Sequence, residues 1–161
     1  MIRGLSILFC VLATLGFGVS TAGASAVHSA IELDAQEVEC LALTIYWEAR
    51  GQPVTEQDAV AYVALNRLND DAFPDTVCGV VKQGGTERYR CQFHWWCDGR
   101  SDEPTDMTAW RRAKARAKAA LLRRSPDPTH GAVYFHHART NPSWSSRLER
   151  TAKLGPHIFY R

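Results

Sequence analysis

The sequence has almost no net charge, with 19 Lys and Arg against 17 Asp and Glu in 161 residues. Total charge therefore selects no anionic or cationic partner, and only local patches could do so. Beyond the first 24 residues no apolar stretch is long enough to cross a bilayer, so no membrane contact is expected in the rest of the chain. There is no internal repeat and no low-complexity linker, which excludes solenoid and tethered-domain layouts. His130, His136, His137 and His157 fall in the last third, but no HExxH or other paired ligand spacing accompanies them. No metal or cofactor is expected on that basis. No nucleic-acid-binding motif is present either.

What is present begins with an export signal. Residues 1–24 carry one early cation, Arg3, then the apolar run LSILFCVLATLGFGV, then small residues ending in Ala22-Gly23-Ala24. This is the layout of a secretory signal peptide, with the mature chain starting near Ser25 in the periplasm or outside the cell. Cys10 follows Phe9 inside the apolar run, which does not suit lipid attachment. Residues 25–34 read as a flexible lead-in, and 35–161 as one domain. Four cysteines remain after cleavage, and an even number in an exported chain favours two disulfides with three possible pairings. Cys91 and Cys97 close a short loop, which leaves Cys40 for Cys78.

The element pattern is that of a mainly α, α+β domain. Val38, Leu41, Ala42, Ile45 and Ala49 recur at helical spacing, and Gly51 with Pro53 stops the helix. A second helix is expected from Thr55, with Asp58 completing a capping box, and a third over Pro74–Lys82. The aromatic stretch ERYRCQFHWWCDG reads as a short strand or hairpin. Thr105–Arg124 is the strongest helix, with Trp110, Ala113, Ala117, Ala120 and Leu121 on one side. Its basic run from Arg111 to Arg124 reads as a solvated face, with an anionic-polymer contact as the alternative. A possible strand, GAVYFHH, a turn at Asn141-Pro142 and a tail ending in HIFYR complete the chain.

One acid stands out. Glu48, in IYWEARGQ, is three residues beyond Ile45 and seven beyond Leu41, so it flanks the apolar stripe of its helix. It also falls in the last turn, where the carbonyl end of the helix disfavours negative charge. Both effects raise proton affinity, as a general acid working near neutral pH requires. Arg50 would oppose them if it folded back.

The blocks IYWEARGQ, AVAYVALNRL, FPDTVCGVV, CQFHWWCDG, GAVYFHHARTNPSW and GPHIFYR occur in order from about Cys40 to Arg161. Together they resemble the bacterial cell-wall hydrolase family typified by the spore cortex-lytic enzyme. The resemblance implies a lysozyme-like helical fold with a small β element, and Glu48 as the catalytic acid. The substrate implied is the glycan strand of peptidoglycan, cut at the β-1,4 bond between N-acetylmuramic acid and N-acetylglucosamine by a monomer. Gln92, Phe93, Trp96, Tyr134 and His136 are the expected substrate contacts. The family usually continues QF with Ser or Thr, whereas this chain has His94. Asn66, Arg67, Trp144, His157 and Tyr160 match family blocks as structural positions. Asp58, Asp98 and Asp102 are available as a second carboxylate, but none sits in a block that points to that role. A single-acid, lytic transglycosylase route is therefore expected, with a hydrolytic muramidase or a non-catalytic glycan-binding module as alternatives.

Overall fold

A computed structural model describes residues 32–161, so the expected signal peptide and most of the lead-in lie outside the described residues. The order is α1 (Ala35–Ala49), α2 (Val54–Arg67), α3 (Val77–Val81), α4 (Met107–Leu121), β1 (Tyr134–His137), β2 (Arg150–Leu154) and β3 (His157–Tyr160). Helices outweigh a single three-stranded sheet, in agreement with the expected mainly α, α+β class. Among the described residues no helix is long and apolar enough to cross a membrane.

Asp34 starts α1 by accepting hydrogen bonds from the backbone N–H groups of Gln36 and Glu37, at 2.7 and 3.2 Å. The apolar side of α1, including Leu41 and Ile45, is fully buried, and Gly51 turns the chain away at φ +82°. The same helix reaches sideways to α3. Glu37 accepts from the N–H groups of Val77 and Cys78, beside the Cys40–Cys78 disulfide.

Helix α2 is central, with every residue from Glu56 to Leu65 buried. The capping box expected at Thr55 and Asp58 does not form; the helix starts at Val54 behind Pro53, with no side-chain cap. Asp58 turns inward instead and accepts from Nε and Nη2 of Arg116 on α4, at 2.8 and 2.5 Å. A carboxylate in so buried a helix gains more from a two-pronged guanidinium than from a backbone N–H. Arg116 thereby leaves the basic face, while Arg111, Arg112 and Lys118 remain exposed. Ala113, Ala117 and Ala120 are buried and let α4 approach α1 and α2 closely.

Two further expectations need correction. The ERYRCQFHWWCDG stretch contains no strand or hairpin; His94–Cys97 forms a 3-10 turn. The Cys91–Cys97 disulfide brings Cα atoms six residues apart to within 6.0 Å, whereas an extended strand would hold them roughly 20 Å apart, so the chain must turn. The tail HIFYR is, conversely, the middle strand: the sheet order is β1-β3-β2 and both pairings are antiparallel. Phe159 from that strand joins Ala59, Val63 and Ala132 in a small second core that seats the sheet on α2. Gly155, in the β2–β3 turn at φ +47°, packs directly against the Glu56 carboxylate, where any Cβ would collide.

Candidate active site

Gly51 ends α1 one turn beyond the point where its apolar stripe meets solvent, which leaves Glu48 half-buried in the last turn. Its carboxyl lines a cleft of roughly 460 Å³. Trp47 from α1 forms part of the same wall, and His94, Trp95, Asp98, Arg100 and Asp102 come from the loop that the Cys91–Cys97 bridge shapes. Burial pushes the Glu48 carboxyl up to about 7, and neither a neighbouring charge nor a hydrogen bond contributes to the shift. An acid in that state holds its proton below neutrality and releases it close to neutral pH.

Arg50 does not fold back on Glu48. Its guanidinium donates to the Tyr46 hydroxyl and lies 4.6 Å from the centre of the Tyr46 ring. Tyr46 is itself buried, and its hydroxyl also accepts from the backbone N–H groups of Thr105 and Asp106, at 3.2 and 3.0 Å. The end of α1 is thus bolted to the start of α4. Trp47 adds a second tie through its indole N–H, which donates to the Asp102 carbonyl at 3.3 Å.

The three acids considered as a second carboxylate separate clearly. Asp58 is engaged by Arg116 within the helical core. Asp98 and Asp102 line the Glu48 cleft. Burial, and then the charge of Asp98, hold the Asp102 carboxyl above its ordinary range. Sequence spacing gave no signal for these two, because the disulfide loop, not a helix period, carries them to the cleft.

None of the five expected substrate contacts lines the Glu48 cleft. Gln92, Phe93 and Tyr134 meet instead around Arg67. That guanidinium is buried, donates from Nε to the Val133 carbonyl at 2.7 Å, and lies 4.9 to 5.8 Å from the ring centres of Phe73, Phe93 and Tyr134. With its amide oxygen turned inward, Gln92 accepts from both terminal nitrogens of Arg67, at 3.1 and 3.3 Å. Burial lowers Arg67 to about 10, so it stays charged at neutral pH. Phe93 is 2% exposed and acts as the floor of this cage. His136 has both ring nitrogens engaged, Nε2 with the Tyr160 hydroxyl and Nδ1 with the His137 carbonyl, each at 2.9 Å. Trp96 lines a neighbouring cleft and carries the Lys82 ammonium 4.9 Å from its ring centre. His94, where the resemblance leads one to expect a hydroxyl, stands in the Glu48 cleft with its ring stacked on Tyr89 at 5.8 Å. Among the described residues no three His, Cys, Asp or Glu side chains come close enough to hold a metal ion.

Residues 51–160 match the family described as Cell Wall Hydrolase. The spore cortex-lytic enzyme of Oceanobacillus iheyensis is 32% identical over 143 residues, covering 88% of this chain and 48% of that protein. That of Halalkalibacterium halodurans is 36% identical over 124 residues, covering 76% of this chain and 34% of that protein. The chain thus spans half or less of the length of the curated relatives it matches. The catalytic domain of the Bacillus cereus SleB protein superposes with a TM-score of 0.60 at 27% identity, covering 86% of this chain and all of that domain. The catalytic domain of SleB from Bacillus anthracis, a germination-specific lytic transglycosylase, gives 0.56 at 28% identity over 82% of this chain.

Proposed function

Since the chain belongs to the cell wall hydrolase family, we propose that it cuts peptidoglycan glycan strands at the β-1,4 bond after N-acetylmuramic acid, with Glu48 as the proton-transfer group. The observation that carries this reading is a half-buried carboxyl, raised to about 7 with no partner to neutralise it, at the head of an open cleft. Protonated Glu48 donates to the glycosidic oxygen as the C–O bond breaks, and positive charge develops on the muramic ring. The 6-hydroxyl of the same sugar then attacks that carbon and returns its proton to Glu48. The acid is regenerated and a 1,6-anhydro end is left. The route needs no protein nucleophile. Export of the chain by residues 1–24 belongs to the same reading, supported by two disulfides that suit an oxidising compartment.

Asp98 and Asp102 support a second reading. A carboxylate across the cleft from the acid could activate water, which would make the enzyme a hydrolytic muramidase. Digestion of purified sacculi, followed by mass analysis of the released muropeptides, separates the two. Anhydro ends are expected from the native protein and none from Glu48→Gln. Reducing ends, one water heavier, would transfer the reading to hydrolysis; equal release by both proteins would remove Glu48 from the chemistry, and no release by either would leave a glycan-binding module.

A further inference from the structure

Helix α4 carries a charge for which glycan cleavage has no use. From Arg111 to Arg124 the chain has seven cations and no acid. Among the described residues one of the seven, Arg116, is ion-paired, with Asp58. Arg111, Arg112, Lys118, Arg123 and Arg124 are exposed, and the half-buried Lys114 lies against the Trp110 ring. Without those six, residues 32–161 hold twelve Lys and Arg against seventeen Asp and Glu, so one helix face is strongly positive while the rest of the chain is net acidic. The cationic strip begins in a hollow. A cavity of roughly 160 Å³ lies between the end of α1 and the first two turns of α4, lined by Arg50, Gln52, Gln57, Asp106, Thr108 and Arg112 among others. It is divided from the Glu48 cleft by the segment that runs from Asp102, which lines that cleft, to Asp106, which lines the hollow. The Tyr46 hydroxyl holds this segment by the N–H groups of Thr105 and Asp106. Asp106 is the one acid lining the hollow. The N–H groups of Ala109 and Thr108, and then the charges of Arg50 and Arg112, hold its carboxyl below the ordinary range. Its Oδ1 accepts from those two N–H groups at 3.0 Å each, so two guanidiniums share one carboxylate and the hollow stays net positive.

We infer that this hollow and the cationic strip along α4 bind the carboxylates of the peptide stems that hang from the glycan strand, so that one surface holds the wall while another cuts it. Asp102 and Asp106 stand at most about 14 Å apart along the chain, a span that a stem of about four amino acids hanging from a sugar in the cleft covers. From Arg111 to Lys118 the exposed cations run about 10 Å along the helix, which leaves room for more than one carboxylate. Arginine dominates the strip, and its planar fork grips a carboxylate through two parallel N–H bonds. The separation of charge over the chain turns this face towards an acidic polymer as the two approach. A lipid surface fits less well, because nothing beside the cations would enter a bilayer. Of the large apolar residues exposed in the described chain, Val54 and Tyr89 lie on other elements and Met107 lines the cleft of Trp95 and Trp96. Stem carboxylates are present wherever the glycan is, which favours them over a separate phosphate polymer.

This docking role rests on the proposed peptidoglycan substrate, and its test reads binding without cleavage. Disulfide-intact Glu48→Gln protein is titrated onto purified sacculi stripped of phosphate polymers, onto the same sacculi after their free carboxylates are converted to amides, and onto phosphatidylglycerol vesicles. Sacculi with free carboxylates are expected to bind about tenfold more tightly than amidated ones, by a margin that shrinks in high salt. Combining Arg111→Gln, Arg112→Gln and Lys118→Gln, all at exposed positions, should weaken binding to unamidated sacculi by about the same factor, whereas Lys153→Gln, at an exposed cation on β2, should leave it unchanged. Equal binding to the two kinds of sacculi would overturn the inference. So would a triple variant that binds as its parent does, or a Lys153→Gln variant that loses as much as the triple one. Tighter binding to the vesicles than to sacculi, lost in the triple variant, would overturn it in favour of lipid, and binding only to sacculi that keep their phosphate polymers would do so in favour of those polymers. If the native protein cut no sacculi while carboxylate-dependent binding was still lost in the triple variant, the cleavage would fall and the docking surface would stand.

Discussion

Replacing Glu48 with Gln should make the folded protein more stable above neutral pH while abolishing cleavage. In the folded chain the carboxyl holds its proton up to about 7, whereas in the unfolded chain it releases it near 4.5. The folded state therefore binds more protons between those values, and native stability falls as pH rises through that window. At about 1.4 kcal/mol per pKa unit the full penalty for ionising Glu48 in place is roughly 3 kcal/mol. Water in the cleft screens part of it, so a difference of about 2 kcal/mol is the measurable expectation. Glutamine has the same shape and nothing to titrate. Urea unfolding of the two proteins at pH 4, 6 and 8, with disulfides intact, should show a stability difference that is constant below about pH 4.5, grows through the window, and levels off above about 7. Parallel stability curves over the whole range would refute the desolvated acid, as would a glutamine variant that loses ground as pH rises.

The remaining expectations follow from the same geometry. The cleavage rate should decline as pH rises through about 7, where Glu48 gives up its proton, in a pH–rate profile on sacculi; a rate still climbing at pH 8 would count against it as the acid. Asp58→Ala should cost roughly 2–3 kcal/mol in denaturant unfolding, because it strands the Arg116 guanidinium between α2 and α4, and a loss below 0.5 kcal/mol would show that the pair is immaterial. Removing the Cys40–Cys78 link by paired alanines should cost about 2–4 kcal/mol by thermal unfolding, since it closes a loop spanning 38 residues, while the Cys91–Cys97 link stays formed by mass analysis. Gly155→Ala should lower the melting temperature by the equivalent of about 2 kcal/mol, because the new methyl group meets Glu56 on a backbone already at positive φ.

The helices were legible because their signals are local. Leu41, Ile45, Ala113 and Ala117 fall at helical spacing, and each is buried where that spacing puts it. The failures come from positions whose fate is decided far along the chain. Asp58 looks like a cap until Arg116, on another helix, claims it. The aromatics of QFHWWC mimic a strand until a short disulfide forces a turn. HIFYR has little local reason to be a central strand; β1 and β2 make it one by pairing on both sides. The site divides along the same line. Position in its own helix marked Glu48 as an acid beside the apolar stripe, and the family resemblance made it the candidate, whereas Asp98 and Asp102 reach the cleft only through the course of an irregular loop. Gln92 and Tyr134 looked like groove residues, and the structure gathers them around the buried charge of Arg67.

The pairing of α1 with α4 has a consequence for how the chain comes into being. On the proposed export route α1, α2 and α3 cross first, and with them both Cys40 and Cys78, so in an oxidising compartment the first disulfide can close before α4 arrives. Until Met107–Leu121 emerges, the side of α1 destined for the small alanines of α4 has nothing to cover it. A domain cross-linked at that point keeps the face of α1 that packs on Ala113 and Ala117 open until Met107–Leu121 docks.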